Sequence, residues 1–159
     1  MHVIEGSASA GGVRFALIVS RYNDFVTDRL QAGAVAALTA AGGAPTDISV
    51  VRVPGAFEIP IAAQRAAQTG RYDAIICLGC IVRGQTPHFE YLASSVAHGV
   101  TEAASATGVP MTFGVLTTNS IEEAIERACD GPTNKGWEAA AAAVEMVAVL
   151  GQLPRREQT

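Results

Sequence analysis

The sequence predicts an α/β fold in which one parallel sheet is flanked by helices. Short apolar, β-branched runs alternate along the chain with Ala-rich stretches of helical periodicity. The 159 residues are about the length of one domain, and no Pro- and Ser-rich linker or internal repeat divides them. Alternating strands and helices join into a parallel sheet through right-handed crossovers. We therefore expect a single domain over residues 1–159.

Four segments have the length and composition of strands that are buried on both faces. In chain order they are Val13–Ser20, Ile48–Val53, Asp73–Cys80 and Pro110–Leu116. Because a helical stretch follows each of them, we expect all four in one sheet.

Five segments have helical periodicity: Phe25–Ala41, Phe57–Thr69, Phe89–Thr107, Ser120–Cys129 and Asn134–Leu153. The first carries an apolar stripe and ends at two glycines; the stripe is Val26, Leu30, Ala34, Leu38 and Ala41. The fourth begins with a capping box, Ser120 followed three residues later by Glu123. Residues 1–12 fit no helix and are predicted as an extended arm, and residues 154–159 as a disordered tail.

The bulk composition excludes several classes of protein. Apolar residues make up 49% of the chain and charged residues 16%, which excludes a disordered chain. The mean hydropathy is +0.27, yet no uninterrupted apolar run reaches the ~18 residues of a membrane span. Burial between copies of the chain explains this hydropathy better, so we expect a homo-oligomer.

Charge and cysteine content narrow the partners and the compartment. The net charge of −4, without a long basic run, argues against nucleic acid and anionic membranes as partners. The first residues lack the pattern of a secretory signal, and three cysteines form no disulfide framework. We therefore expect a cytoplasmic protein.

The most informative connection between a strand and a helix leads to His88. Ligands of open α/β sheets bind beyond the carboxyl ends of the strands, and backbone N–H groups at a helix start attract anions. Gly84 permits close backbone approach, Thr86 adds a hydroxyl, and His88 lies at the predicted helix start. A neutral imidazole there can relay protons in both directions, which makes His88 the leading catalytic candidate. The plain alternative is a capping or surface histidine.

Two other connections add possible ligand contacts. In the segment Val53–Pro60, the amides of Ala56 and Phe57 could bind a planar ligand edge, and Glu58 could accept from N–H groups. Glu58 could equally serve only the helix dipole, and the two interpretations are evenly balanced. Tyr22, after the first strand, could stack on an aromatic ring, although one tyrosine is weak evidence.

Arg127 and Lys135 bracket the junction of the last two helices. Two cations this close could hold a phosphate, with arginine supplying a bidentate fork. Charged residues at helix ends are more often simply solvated, so this interpretation needs further support.

Three familiar signals are discounted. Cys77 and Cys80 form a C-x-x-C within an apolar strand, where residues three apart face opposite sides. A shared metal or redox site is therefore not expected. The glycines match no nucleotide-binding pattern, and no nucleophile elbow accompanies a Ser-His-acid set.

The sequence resembles the 6,7-dimethyl-8-ribityllumazine synthases of riboflavin biosynthesis over almost its whole length. The matching blocks are Arg21–Asp24, Val53–Pro60, Arg83–Tyr91, Phe113–Asn119, Glu123–Arg127 and Asn134–Gly136. The blocks PGAFE and RGxTxH at this spacing are highly specific. That family condenses 5-amino-6-(D-ribitylamino)uracil with 3,4-dihydroxy-2-butanone 4-phosphate, releasing phosphate and water, without metal or organic cofactor.

The resemblance implies a fold and a set of roles. The fold is a three-layer αβα sandwich with a central four-stranded parallel sheet in flavodoxin-like winding and an N-terminal arm pairing with a neighbouring subunit. The residues implied beside the pyrimidine and its ribityl chain are Tyr22, Ala56, Phe57, Glu58, Cys80, Ile81, Val82 and Phe113. Those implied for the phosphate are Gln85, Thr86, Arg127 and Lys135, with His88 and Arg127 catalytic. The adjacent subunit of a homopentamer would supply Phe113, Arg127 and Lys135.

The chain departs from the family pattern at three places. Tyr22 stands where the family more often has Phe or Trp, so its hydroxyl needs a partner. Cys80 often corresponds to Thr, and the loop Asp130–Thr133 differs from the Gly- and Lys-rich form of many shell-forming members, which leaves an icosahedral assembly open.

Two alternatives are disfavoured. A catalytically silent ligand-binding or shell-forming relative does not explain why His88, Arg127 and Lys135 are all present, and the PGAFE and RGxTxH blocks argue against the related archaeal-type riboflavin synthase.

Overall fold

The computed structural model describes residues 1–156. Four strands and five α-helices alternate in it as expected. The strands are β1 (Phe15–Ser20), β2 (Ile48–Val53), β3 (Ala74–Val82) and β4 (Met111–Thr118). The helices are α1 (Asp24–Ala40), α2 (Ile59–Gln68), α3 (His88–Thr107), α4 (Ile121–Arg127) and α5 (Lys135–Gly151). Each element lies where it was predicted, with its ends shifted by a few residues.

The four strands form one parallel sheet in the order β2-β1-β3-β4. The chain winds outward from β1 to β2 and then returns to place β3 on the other side of β1. The strand order therefore reverses between β1 and β3, and such a switch point opens a crevice at the carboxyl ends of the strands. The predicted flavodoxin-like winding is confirmed.

Two apolar cores lie on the two faces of the sheet and make the fold three-layered. Phe15, Leu17 and Val19 face α1 and α5, whereas Ala16 and Ile18 face α2 and α3. The strand β1 is buried along its whole length and β3 nearly so, as predicted. The prediction was wrong for β2 and β4, which are only partly buried, because each is an edge strand with one unpaired side.

The contact between α1 and α5 is unusually close and sets where Lys135 lies. A Cβ atom on Gly136 would collide with the backbone of Leu30, so only glycine permits this approach. Asn134 closes the same contact: its Oδ1 accepts from the N–H of Gly136 at 2.8 Å, and its Nδ2 donates to the Arg29 carbonyl at 3.2 Å. The start of α5 is therefore held against α1 on both sides.

The capping box at α4 is confirmed in one half and altered in the other. Ser120 Oγ accepts from the N–H of Glu123 at 3.2 Å, as predicted. The Glu123 carboxylate, however, accepts from the N–H of Asn119 at 3.0 Å, one residue before the cap. The box therefore also secures the last residue after β4.

Residues 1–12 contain neither helix nor strand and lie along the outer helices. Gln152 Nε2 donates to the Glu5 carbonyl at 2.7 Å, and the N–H of Ala10 donates to the Ala41 carbonyl at 2.9 Å. Of the tail predicted at 154–159, residues 157–159 lie outside the described residues. Within residues 1–156, no helix is both long and apolar enough to cross a membrane.

Candidate active site

A cavity of about 740 Å³ lies at the switch point beyond the carboxyl ends of β1, β2 and β3. Three connections that are far apart in sequence meet there. Ten residues singled out in the sequence line it: Tyr22, Ala56, Phe57, Glu58, Cys80, Ile81, Val82, Gly84, Thr86 and His88. The strand order explains the convergence, since β1 lies between β2 and β3 and all three strands end on the same edge.

The connection after β1 holds Tyr22 and Asn23. The N–H of Tyr22 donates to the Pro54 carbonyl at 3.1 Å, which continues the strand pairing beyond the sheet. The Tyr22 side chain is 73% exposed at the mouth of the cavity. An aromatic face this accessible is available to stack on a planar ligand.

Asn23 is a cavity residue that the sequence reasoning did not single out. It has a left-handed backbone conformation (φ 63°), which asparagine tolerates better than most residues. Its Nδ2 donates to the Cys80 carbonyl at 3.0 Å and thereby joins the ends of β1 and β3. An asparagine just before a predicted helix start was the available signal, because asparagine favours such turns.

The connection after β2 forms a single 3₁₀ turn, Ala56–Glu58, directly before α2. Ala56 is 7% exposed, so it can offer a ligand little beyond its backbone. Phe57 is 66% exposed and projects from the chain, and Glu58 is partly buried beside it. The turn therefore presents an aromatic surface and a carboxylate to the same cavity.

The connection after β3 carries His88, which is the first residue of α3, as predicted. Gly84 and Thr86 line the cavity, and His88 is exposed to it. Gln85 is exposed but lies outside the cavity lining, between two residues that belong to it. Pro87 occupies the N-cap position and supplies no side-chain hydrogen bond. The first N–H groups of α3 are therefore not capped by the side chain at this position.

Arg127, Lys135 and Phe113 lie together in a second hollow, of about 470 Å³, along the edge strand β4. The structure brings the two cations together, as their spacing predicted. Arg127 Nη1 donates to the Glu123 carbonyl at 3.1 Å, and Lys135 Nζ lies 2.9 Å from Glu138 Oε2. No residue lining this hollow also lines the cavity at His88. Within one chain's described residues, the predicted site is therefore divided.

The two cysteines of the C-x-x-C face opposite cores, as expected from their spacing. Cys77 packs between the sheet and α2 and α3, and Cys80 packs on the opposite face. Burial raises the pKa of the Cys77 thiol to about 12 and that of Cys80 to about 11. Neither is suited to act as a thiolate near neutral pH.

A family model described as 6,7-dimethyl-8-ribityllumazine synthase matches residues 12–151. A 6,7-dimethyl-8-ribityllumazine synthase of Desulfatibacillum aliphaticivorans is 50% identical over 150 residues, which cover 94% of this chain and 97% of that protein. One of Syntrophus aciditrophicus (strain SB) is 52% identical over 151 residues, covering 95% and 98%.

Proposed function

The chain belongs to the 6,7-dimethyl-8-ribityllumazine synthase family, and we propose that its active site forms between subunits, where the cavity of one meets the hollow of the next. It is a transferase of riboflavin biosynthesis that condenses 5-amino-6-(D-ribitylamino)uracil with 3,4-dihydroxy-2-butanone 4-phosphate. The products are 6,7-dimethyl-8-ribityllumazine, phosphate and water.

The pyrimidine binds in the cavity at the ends of β1, β2 and β3. Tyr22 and Phe57 offer aromatic faces to the ring, and Glu58 accepts from ribityl hydroxyls. Backbone groups of Cys80, Ile81 and Val82 hold the polar edge of the ring. A cavity of about 740 Å³, mostly apolar with a few convergent polar groups, suits a ligand of this size.

The phosphate of the ketone binds where the loop before α3 meets the cations of an adjacent subunit. Thr86 and Gln85 provide polar donors, but the cavity lining contains no lysine or arginine. Arg127 and Lys135 line the separate hollow, with Phe113 beside them. A second copy of the chain that docks its β4 edge at the cavity supplies the missing positive charge. This separation of the two residue groups is the observation that carries the proposal.

A cyclic homopentamer provides this arrangement at every interface. A head-to-tail contact joins two different surfaces, so each cavity faces the hollow of one neighbour, and rotation closes the ring. Large apolar side chains beside the cavity, including Phe57, Ile61 and Tyr91, are 66–73% exposed in the single chain. Burial of these side chains in the ring accounts for the mean hydropathy of +0.27. On assembly, the N-terminal arm moves from its own helices, where Glu5 and Ala10 hold it in the single chain, onto a neighbour's sheet. We place the enzyme in the cytoplasm, with an icosahedral shell as a further level of assembly.

The chemistry needs proton transfer and substrate alignment more than a nucleophile. The primary amine of the pyrimidine attacks the ketone carbon, and loss of water leaves an imine. Loss of the proton on the carbinol carbon then expels phosphate from the neighbouring carbon and leaves an enol. Tautomerisation of this enol forms a new carbonyl and a methyl group, and the ribitylamino nitrogen attacks that carbonyl and closes the ring with loss of a second water. His88 accepts and returns these protons, and Arg127 stabilises the departing phosphate. Alignment of two substrates can supply an effective concentration of about 10⁵–10⁸ M.

Complementation between inactive variants tests the shared site. One variant, Glu58→Ala with His88→Ala, disables only the cavity, and the other, Arg127→Ala, disables only the hollow. Each alone should form lumazine slowly, as followed by its fluorescence. Co-expressed in equal amounts, they should recover about a quarter of wild-type activity, since about a quarter of interfaces join two intact halves. Recovery no greater than the sum of the separate variants would refute a site between subunits. Wild-type turnover no faster than the uncatalysed reaction would refute the condensation itself.

A further inference from the structure

Arg83 lies where the end of β3, the end of β4 and the start of α3 meet, and the proposed reaction steps give it no role. It is the first residue after β3, and its N–H donates to the Thr118 carbonyl at 2.8 Å, so its backbone is fixed on β4. The loop from Gly84 to Pro87 that follows leads directly to His88 and has no helix or strand of its own. Because Pro87 supplies no side-chain cap, the start of α3 depends on contacts from elsewhere.

The Arg83 side chain provides such contacts in three directions. Its Nε donates to Asn119 Oδ1 at 2.8 Å, at the residue after β4. Its Nη1 donates to the carboxylate of Glu90, in the first turn of α3. Its guanidinium carbon lies 4.6 Å from the centroid of the Phe89 ring, within the range of a cation–π contact. One planar group therefore touches both residues that follow His88 and the end of the neighbouring strand.

Asn119, which accepts the hydrogen bond from Arg83 Nε, is itself held in place. The N–H of Asn119 donates to Glu123 Oε2 at 3.0 Å, in the first turn of α4. Asn119, which is bonded to α4, thus gives Arg83 an anchor in the connection from β4 to α4. A fork that spans an anchored residue and the first turn of a helix restrains that helix in direction as well as in distance.

We propose that Arg83 is a positioning residue of the condensation, which ties the start of α3, and with it His88, to the end of β4. The inference rests on the proposed function, because it takes His88 as the proton carrier. We give Arg83 no contact with the phosphate, because it lines neither the cavity at His88 nor the hollow at Arg127. The pKa of Glu90 is consistent with this contact, because its own backbone N–H and the Arg83 guanidinium hold that pKa below the ordinary range.

Arg83→Gln and Arg83→Lys separate geometry from charge. Because a misplacement of about 1 Å can cost about 100-fold in rate, we expect both variants to lower kcat about tenfold. The KM of each substrate should stay within about twofold of wild type, since no substrate contact is lost. Lysine keeps the charge but cannot reach Asn119 and Glu90 with one fork, so it should not restore the rate.

Arg52 offers a matched control, because it lines neither the cavity nor the hollow. Its guanidinium also forms a fork between elements, to Asp28 at 2.8 Å and to Gln31 at 2.9 Å, with a side chain 41% exposed against 46% for Arg83. Arg52→Gln should leave kcat and both KM values unchanged. Glu90→Gln, which weakens one arm of the Arg83 fork, should lower kcat about threefold.

Amide hydrogen exchange tests the same restraint without substrates. In the full-length protein, exchange over residues 84–92 should be about fivefold faster in Arg83→Gln than in wild type and unchanged in Arg52→Gln. A raised KM for the phosphate ketone that Arg83→Lys restores would overturn the positioning role in favour of direct phosphate binding. Wild-type kcat together with unchanged exchange in Arg83→Gln would also overturn it. An inactive wild type would instead refute the condensation, and the exchange result would still decide whether Arg83 restrains the segment.

Discussion

The cavity beside His88 and the hollow beside Arg127 differ in the side chains that line them. The cavity is lined largely by aromatic and aliphatic side chains and by backbone at strand ends. The hollow has two cations, and each already has a partner in its own chain: the Glu123 carbonyl for Arg127 and the Glu138 carboxylate for Lys135. The first suits a flat, largely uncharged ring, and the second suits an anion.

Under the proposed site between subunits, the difference explains why the cavity and the hollow would be needed together. An apolar cavity without a ligand leaves no charged group desolvated. Cations buried without an anion, in contrast, would lose the free energy of their hydration. Their present partners are weak competitors, because an exposed ion pair such as Lys135–Glu138 is worth only about 0–1 kcal/mol. A phosphate with two negative charges can displace them. In the proposed site, the cavity therefore supplies shape and the hollow supplies charge.

Among the variants that test the difference between the cavity and the hollow, Arg127→Ala should have the largest effect. It removes charge from the hollow only. We expect kcat/KM for the phosphate ketone to fall about 10³-fold, since an arginine on departing phosphate is worth about that much. The dissociation constant of the pyrimidine, measured by calorimetry with the ketone absent, should change less than about twofold. Equal loss of pyrimidine binding and ketone use would contradict the division of labour.

His88→Ala changes the cavity side and should cost less. We expect kcat to fall about 10²-fold, the lower end for loss of general acid–base catalysis, because substrate alignment remains. Loss of a covalent nucleophile would cost about 10⁶-fold, so the size of the residual rate is informative. His98→Ala is the matched control, since His98 lies on the same helix with a side chain 76% exposed and away from the cavity lining. A folded, assembled His88→Ala enzyme with no measurable turnover would contradict the alignment argument.

Gly136→Ala probes whether the hollow depends on the close contact between α1 and α5. The added methyl would strike the Leu30 backbone, so we expect the free energy of unfolding to fall by about 1–3 kcal/mol. The displaced start of α5 should raise the KM of the ketone several-fold while pyrimidine affinity is kept. Gly151→Ala, at the other end of α5, has open space and should change neither quantity. Denaturant unfolding and steady-state kinetics measure both effects, and equal damage from the two variants would argue against the contact.

Glu138→Gln should have the smallest effect and in the opposite direction. It releases Lys135 from its ion pair and removes a negative charge from the hollow. Since the pair is exposed, we expect the KM of the phosphate ketone to fall only about two- to threefold. The effect should shrink as salt is raised, because screening weakens both interactions. An unchanged KM at low salt would mean that Glu138 does not compete with the phosphate.

Much of the fold could be predicted because its signals are local. The stripe through Leu30 and Leu38 and the strand runs depend only on side-chain periodicity. The ends were less certain: β3 and β4 each run two residues beyond their predicted ends, because the two strands pair with each other there, Ile81 with Thr117 and Val82 with Thr118. Asn23 was missed for a similar reason, as its role depends on the Cys80 carbonyl, which lies 57 residues away in sequence.

The sequence by itself determined the strand and helix order, the polar and aromatic connections after the strands, and the family to which they point. Only the tertiary structure decided that β3 returns to the side of β1 opposite β2, which brings Tyr22, Glu58 and His88 to one cavity. It also decided that Arg127 and Lys135 lie in a separate hollow along β4. The physical reason is that parallel strands pair through backbone hydrogen bonds, which leave little trace in the side chains. Neither the side of pairing nor the meeting of distant loops is therefore written in local periodicity.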